Sequence, residues 1–352
     1  MPIKTMTKST LLTFAIAVAS HASVVSANEL SETIFPMQPL GHGVYELAYD
    51  KSKHAVYAAS APSFGKDNTA GKVFQLAADT LTITDQIPTE RRTFAVALDE
   101  EHHVLYLGNA LDGSVTLLDT RTNRVLKTLQ LSDDSNPKKQ AHVREVVLDK
   151  RHHRLYVSGI GSKNAGLLWV VDTEKQQLAT TLDHLQPVGF AVDEAGEKIY
   201  VVTGPGELVV LDGKTSQPLS QVKVDPAETD HYFLNIALNT QAGLGYIADT
   251  NTRDVLVVEL KSGKLLHRIP TPNSIAVIYN AARNQLYVTH RNARQISVID
   301  AATYRVTHTI NTRAQPNSMV LSPDAHTLYA SVKQDEKENK DDYVLKIDLT
   351  QL

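Results

Sequence analysis

Residues 285–300 read QLYVTHRNARQISVID. Two short β-rich runs, LYVTH at 286–290 and SVID at 297–300, are parted by a polar turn, and neither is long enough for a helix. The triplet at the centre of the first run, Tyr between apolar neighbours, recurs along the chain at Tyr57, Tyr106, Tyr156, Tyr200, Tyr246, Tyr287 and Tyr329. The spacings are 49, 50, 44, 46, 41 and 42 residues, the period of a four-stranded propeller blade.

The flanks repeat too. Upstream of the tyrosine comes an apolar strand and a polar turn, as in VALDEEHH before Tyr106 and VVLDKRHH before Tyr156. Downstream comes an apolar strand ending in an acid, at Asp119, Asp172, Asp212, Glu259, Asp300 and Asp348, then a turn and a further strand such as RVLKTLQL. With the strands named A, B (bearing Tyr), C (ending in the acid) and D, the pattern predicts an all-β, seven-bladed β-propeller with four-stranded blades. The chain stops just after the seventh strand C. Leu30–Met37, LSETIFPM, precedes the first strand A and resembles a strand D in length and pattern. It is expected to close the ring by pairing with the last blade, leaving no open sheet edge at the seam. The repeated tyrosines are expected to pack in the core, as is Trp169, and the acids at strand C ends to bind turn amides.

The chain has 352 residues, 21% charged and 42% hydrophobic, with Lys+Arg 35 against Asp+Glu 39 and no cysteine. Disulfide scaffolds, thiolate metal sites and thiol catalysis are excluded, and the formal charge of −4 is not that of a dedicated duplex-DNA binder. Residues 1–27 read as a secretory signal peptide. Lys4 and Lys8 precede an apolar run of ten (Leu11–Ser20), and small residues end at Val25-Ser26-Ala27. Cleavage is expected after Ala27, with Ala22 as the alternative, leaving 28–352 as one propeller domain. It would remove two lysines and no acid, so the mature charge would be −6. A bacterial periplasm is the expected compartment.

In a propeller, the D–A crossings and B–C loops converge on one mouth of the central channel. Aligning the repeats puts Tyr45, Glu46, Arg91, Arg92, Phe94, His142, Arg144, Glu145, Phe190, His231, Tyr232, Phe233, Asn235, Asn273 and Asn317 at the crossings. The loops carry Asn109, 158–161 (SGIG), Asp249, His290, Arg291, Asn292 and Lys333. Aromatic faces can stack bases while Arg and Lys neutralise phosphates. The nucleic-acid-binding set expected here is Tyr45, Arg91, Arg92, Phe94, Arg144, Tyr232, Phe233, His290, Arg291 and Lys333. Longer loops at 61–72 and 132–141 would add Lys66, Lys72, Lys138 and Lys139, whereas QDEKENKDD at 334–342 reads as a solvated charge run. The competing reading is internal: aromatics plugging the channel, and Arg144–Glu145 and Tyr45–Glu46 as hydrogen-bond partners.

The sequence carries no tight metal-ligand spacing, P-loop, GxSxG elbow, HExxH or paired-carboxylate spacing, and neither cofactor nor metal is expected. His102–His103 and His152–His153, with His54 and His326, fall in A–B turns, a rim on the face opposite the mouth. They are expected to be exposed and too far apart to share a metal.

LYVTH (286–290), SVID (297–300) and PNSMVLSPDAHTLYASV (316–332) resemble the YVTN-type propeller repeat. RE at 144–145, SGIG at 158–161, WVVD at 169–172, LYVTHR at 286–291 and SVKQ at 331–334 are more specific, and resemble YncE-like periplasmic seven-bladed propellers over essentially all of the chain after the leader. That resemblance implies an exported protein without established enzymatic activity, able to bind single-stranded DNA, with expression linked to iron limitation. The expected function is therefore a non-enzymatic, monomeric binding propeller taking single-stranded DNA at its mouth. Two alternatives remain: a periplasmic protein-interaction scaffold, and a lactonase-like hydrolase using Glu46, Arg144, Glu145, His231 and His290.

Overall fold

The computed structural model describes residues 27–62, 69–132, 141–161, 166–228, 230–335 and 340–352. The expected signal peptide up to residue 26, and Lys66, Lys138 and Lys139, lie outside the described residues.

Seven antiparallel sheets form the ring, each running A-B-C-D outward from the channel. The innermost strands are Val44–Asp50, Thr93–Asp99, His142–Asp149, Pro187–Asp193, Phe233–Asn239, Ala276–Asn280 and Gln315–Leu321, and each packs on the next around the circle. Apolar clusters fill the spaces between blades. One joins Ala95, Tyr106 and Leu117 of blade 2 to Val146, Val157 and Trp169 of blade 3. All seven repeat tyrosines are at most 3% exposed and Trp169 is 1% exposed, so the period in the sequence is a period of core packing.

One turn design recurs in both the A–B and C–D turns of several blades. Among the A–B turns, the acid ending strand A accepts a backbone N–H in the turn, Asp50 from Lys53 and Asp99 from His102. The residue four places on is left-handed: His54, His103, His153 and Glu197 have φ of 51–57°. C–D turns repeat this with Asp119, Asp172, Asp212 and Asp300 accepting from turn amides, and with Asn123, Gln176, Ser216 and Tyr304 left-handed. These are the tight hairpin loops that end in an αL residue.

The ring closes on the last blade as expected, but with a different strand. β2 (Met37–Gly41) pairs antiparallel with Asp342–Asp348, from Met37 opposite Leu345 to Gly41 opposite Asp342. The expected closing segment, Leu30–Met37, does something else. β1 (Asn28–Ser31) adds a parallel fifth strand to the outer edge of blade 6, beside His308–Asn311. A 3-10 turn, Glu32–Ile34, capped by the Ser31 hydroxyl, then swings the chain inward. Phe35 enters the core of blades 6 and 7, and the buried Glu32 carboxylate accepts from the Tyr343 hydroxyl (2.6 Å) and the Arg313 N–H (3.0 Å). The seam is thus covered twice. No helix among the described residues is long and apolar enough to cross a membrane.

The histidine rim differs in one respect from expectation. Neighbouring blades bring His102 and His153 together, ring centroids 6.5 Å apart and edge-on, but among the described residues no cluster of His, Asp or Glu could hold a metal ion. Carboxylates hold much of the rim: Asp99 on His102 (2.9 Å), Asp149 on His152 (2.8 Å) and Asp79 on His54 (3.0 Å).

Candidate functional site at the channel mouth

The mouth is built from β-bulges. In blades 1 and 3 the A–B register skips from Val44 to Leu47 and from Val143 to Val146, leaving Tyr45–Glu46 and Arg144–Glu145 outside the ladder. Blade 2 skips Phe94 and blade 7 skips Asn317–Ser318. A bulge kinks the strand and re-aims its side chains, here into and around the channel. Serines on strand B anchor the looped backbone: Ser158 Oγ accepts from Glu145 N–H (2.8 Å) and Ser331 Oγ from Ser318 N–H (3.1 Å).

Four of the ten expected residues form one row. Lys333 Nζ lies 3.8 Å from the Tyr45 ring centroid, the Tyr45 and Phe94 rings are 4.3 Å apart, and the Arg144 guanidinium sits 5.4 Å from Phe94. This cation–ring–ring–cation row gains from both cation–π attraction and aromatic contact. Arg291 joins it through Asn317, whose Oδ1 accepts from Nη2 and whose Nδ2 reaches the Tyr45 carbonyl.

Each cation is opposed differently. Lys333 pairs with Asp342 at 3.2 Å. Arg144 Nη1 bridges Glu46 (3.1 Å) and Glu145 (3.2 Å), so the expected Arg144–Glu145 contact is present and extends to another blade. Burial raises both carboxyls above the usual carboxylate range; Arg144 pulls Glu46 partly back, while the charge of Glu46 pushes Glu145 up further. Both carboxyls therefore hold a proton more readily than a free carboxylic acid does. Arg291 forms no ion pair among the described residues, and its buried Nε has no hydrogen-bond partner. Burial, then repulsion from Arg144, lowers its pKa.

Below this row a cavity of about 360 Å³ runs down the channel, lined by Glu46, Arg144, Glu145, Asn235, Asn317 and Ser318 with apolar residues beneath. Part of the polar lining is structural. Glu46 accepts from Val96 N–H and Asn235 from Val277 N–H, each tying its blade to the next.

The other expected residues sit elsewhere. Arg91 pairs with Asp112 at 2.7 Å and Arg92 donates to the Thr69 carbonyl, flanking a separate surface hollow. Tyr232, 36% exposed, stands on the rim beside Gly161, Gly166 and Gly204. Phe233 and His290 must be corrected as surface contacts, since both are 0% exposed, and so must Tyr45, 7% exposed with Lys333 and Phe94 packed on its ring. Phe233 belongs to the core of blades 4 and 5. His290 contacts Ser297 Oγ (3.0 Å) and the Asn273 carbonyl (3.3 Å), and burial drives its pKa down to about 4.

Two features escaped the sequence reading. Asp342 accepts from Gly43, Val44 and Gln334 N–H, pinning the first strand of the ring to the last. The only hint was its place at the end of a charge run. A second buried network links His231 to Asp249 (2.5 Å), with Asp225 beyond it and Arg268 on Asp225. His231 and Asp249 occupy crossing and loop positions of one blade, a juxtaposition the repeat alignment could have supplied.

Fold and mouth together define a seven-bladed propeller with a polar, bulge-built channel. Residues 168–351 match the family model described as "Domain of unknown function (DUF5074)". The chain is 34% identical over 350 residues to "Uncharacterized protein YncE" of Salmonella typhi, covering 97% of each. It is also 34% identical over 331 residues to the protein of that name from Escherichia coli O157:H7, covering 93% of this chain and 92% of the relative. The chain belongs to the YncE family. Among solved structures it is similar to Kuenenia stuttgartiensis Hydrazine Synthase (TM-score 0.71, 15% identity, 88% of this chain and 96% of that one), a likeness of fold alone.

Proposed function

We propose that this chain is an exported, non-enzymatic binding propeller that takes single-stranded DNA across its channel mouth. The observation that carries the reading is the row Lys333–Tyr45–Phe94–Arg144, with Arg291 beside it. Ring faces serve bases of any sequence, and guanidinium and ammonium groups serve the phosphates between them. Tyr232 offers a further exposed ring on the rim. Fluorescence anisotropy of a labelled oligonucleotide, at two salt concentrations, tests it. Affinity falls with salt, and falls again in Phe94→Ala and in the Arg144→Ala/Lys333→Ala variant. Binding that ignores both salt and these substitutions overturns the reading. Export is tested separately: protein recovered from the periplasm begins at Asn28.

The Glu46–Glu145 pair supports a second reading, hydrolysis of a lactone-like substrate, since paired carboxyls can divide acid and base roles. His231 and His290, buried, take no part in it. Turnover of a lactone panel that disappears in Glu145→Gln would favour it; a flat panel would retire it.

A further inference from the structure

The cavity beneath the mouth row is walled by hydrogen-bonding groups that the protein itself leaves unused. Arg144 meets both of its carboxyl partners through one atom, Nη1, at 3.1 Å from Glu46 Oε1 and 3.2 Å from Glu145 Oε2. No described residue accepts from its Nε or Nη2. Glu46 is satisfied, since its second oxygen accepts from Val96 N–H. Glu145 Oε1 accepts from no N–H or hydroxyl of a described residue. Asn235 gives Oδ1 to Val277 N–H, and its amide N–H groups donate to no described residue. Arg144, Glu145 and Asn235 all line the same space of about 360 Å³.

These open groups are of two kinds. Guanidinium and amide donors match an anion, whereas a carboxyl oxygen beside a second carboxyl matches a cationic donor. A simple anion or a simple amine would meet only half of them. A carboxylate and an ammonium on one small molecule meet both.

The lower wall favours a polar guest. Each strand A ends its sheet on the channel side, so half of its backbone N–H and C=O groups have no strand partner there. Unbroken runs of such strands line the cavity, at 235–238 in blade 5 and 275–279 in blade 6. A side-chain amide, which donates and accepts at once, is the group that pairs with a peptide edge. The volume suits a small molecule rather than a polymer.

We propose that the channel binds a small polar α-amino acid, its carboxylate on Arg144 and Asn235, its ammonium on Glu145, and an amide-bearing side chain along the strand edges below. The inference does not rest on DNA binding, in which Glu145 and Asn235 have no part.

Isothermal titration calorimetry of the full chain with L-glutamine tests it. Two analogues each lack one charged group: 4-aminobutanamide has no carboxylate and glutaramate has no ammonium. L-Glutamine binds one to one, and each analogue binds at least about tenfold more weakly, the loss expected for one charge-assisted contact. Glu145→Gln weakens L-glutamine by a similar factor and leaves glutaramate unchanged, because that analogue has no ammonium to lose. Asn235→Asp keeps an acceptor for Val277 N–H but sets a carboxylate oxygen in place of the amide donors. It weakens L-glutamine likewise and does not weaken 4-aminobutanamide. Retained binding of the matched analogue separates a lost ligand contact from a damaged channel. The proposal is overturned by no L-glutamine binding to the unsubstituted chain, by an analogue that binds as tightly, by unchanged L-glutamine affinity in either variant, or by equal loss of the matched analogue. An oligonucleotide titration on the same samples reports the DNA reading independently.

Discussion

His290 shows how a residue can occupy a mouth position in the repeat and yet belong to the interior. Its ring is fully buried between Ser297 and the Asn273 carbonyl, and burial lowers its pKa to about 4 from an ordinary 6.5. The unfolded chain therefore takes up the proton first as pH falls. Stability from this group is intact above about pH 6.5, declines between 6.5 and 4, and declines no further below 4. The difference corresponds to roughly 3 kcal/mol. Denaturant midpoints at pH 7, 5.5 and 4.5 should fall more steeply for the unsubstituted chain than for His290→Gln, which has no proton to gain. Repeat alignment found the loop that carries His290 but not the direction of its side chain. Direction alternates with each residue, and a bulge shifts it by one. Phe233 was misplaced for the same reason, whereas Tyr45, Phe94 and Arg144 are bulge residues and do reach the mouth. Close packing also constrains single positions. A Cβ on Gly159 would lie 2.6 Å from the Trp169 ring, so Gly159→Ala should destabilise by about 1–3 kcal/mol through overpacking, read as a lowered denaturant midpoint.

At the scale of elements, the period of tyrosines and strand-C acids made the blades legible, because each mark serves a repeated need: core filling by Tyr, turn amides by Asp. The seam repeats nothing, so no period could reveal it. LSETIFPM has the length and pattern of a strand, but its Ser31 caps a 3-10 turn and Glu32 is spent on blade 7. The pairing falls instead to Met37–Gly41, where Pro39 sits in an edge-like closing strand. Glu32 is the group that fastens the turn. It is 1% exposed and accepts from Tyr343 and Arg313. Glu32→Ala should cost about 2–3 kcal/mol, since it strands a buried hydroxyl and a backbone donor. Tyr343→Phe removes the hydroxyl and should be milder. In the double variant the two losses should fall short of adding, and a denaturant-melt mutant cycle measures the coupling.

For the whole molecule, the net charge of −4 and the crowded pairing at the mouth set how a polyanion could bind. Arg144 is engaged by two carboxyls, Lys333 by Asp342 and Arg91 by Asp112. A phosphate must compete with these partners, whereas Arg291 forms no ion pair among the described residues. One to three phosphates neutralised on a single strand give a slope of log K against log salt of about −0.7 to −2. Stacking on Phe94 and Tyr232 must supply much of the remaining affinity, at about 1–3 kcal/mol per base. Anisotropy titrations from 50 to 300 mM salt should therefore give a shallow line, and Phe94→Ala should lower it without changing its slope. A slope steeper than about −4 would mean that about six or more phosphates are neutralised. That is more than the five described cations of the expected set could neutralise, and the strand would have to lie on a different surface from the mouth.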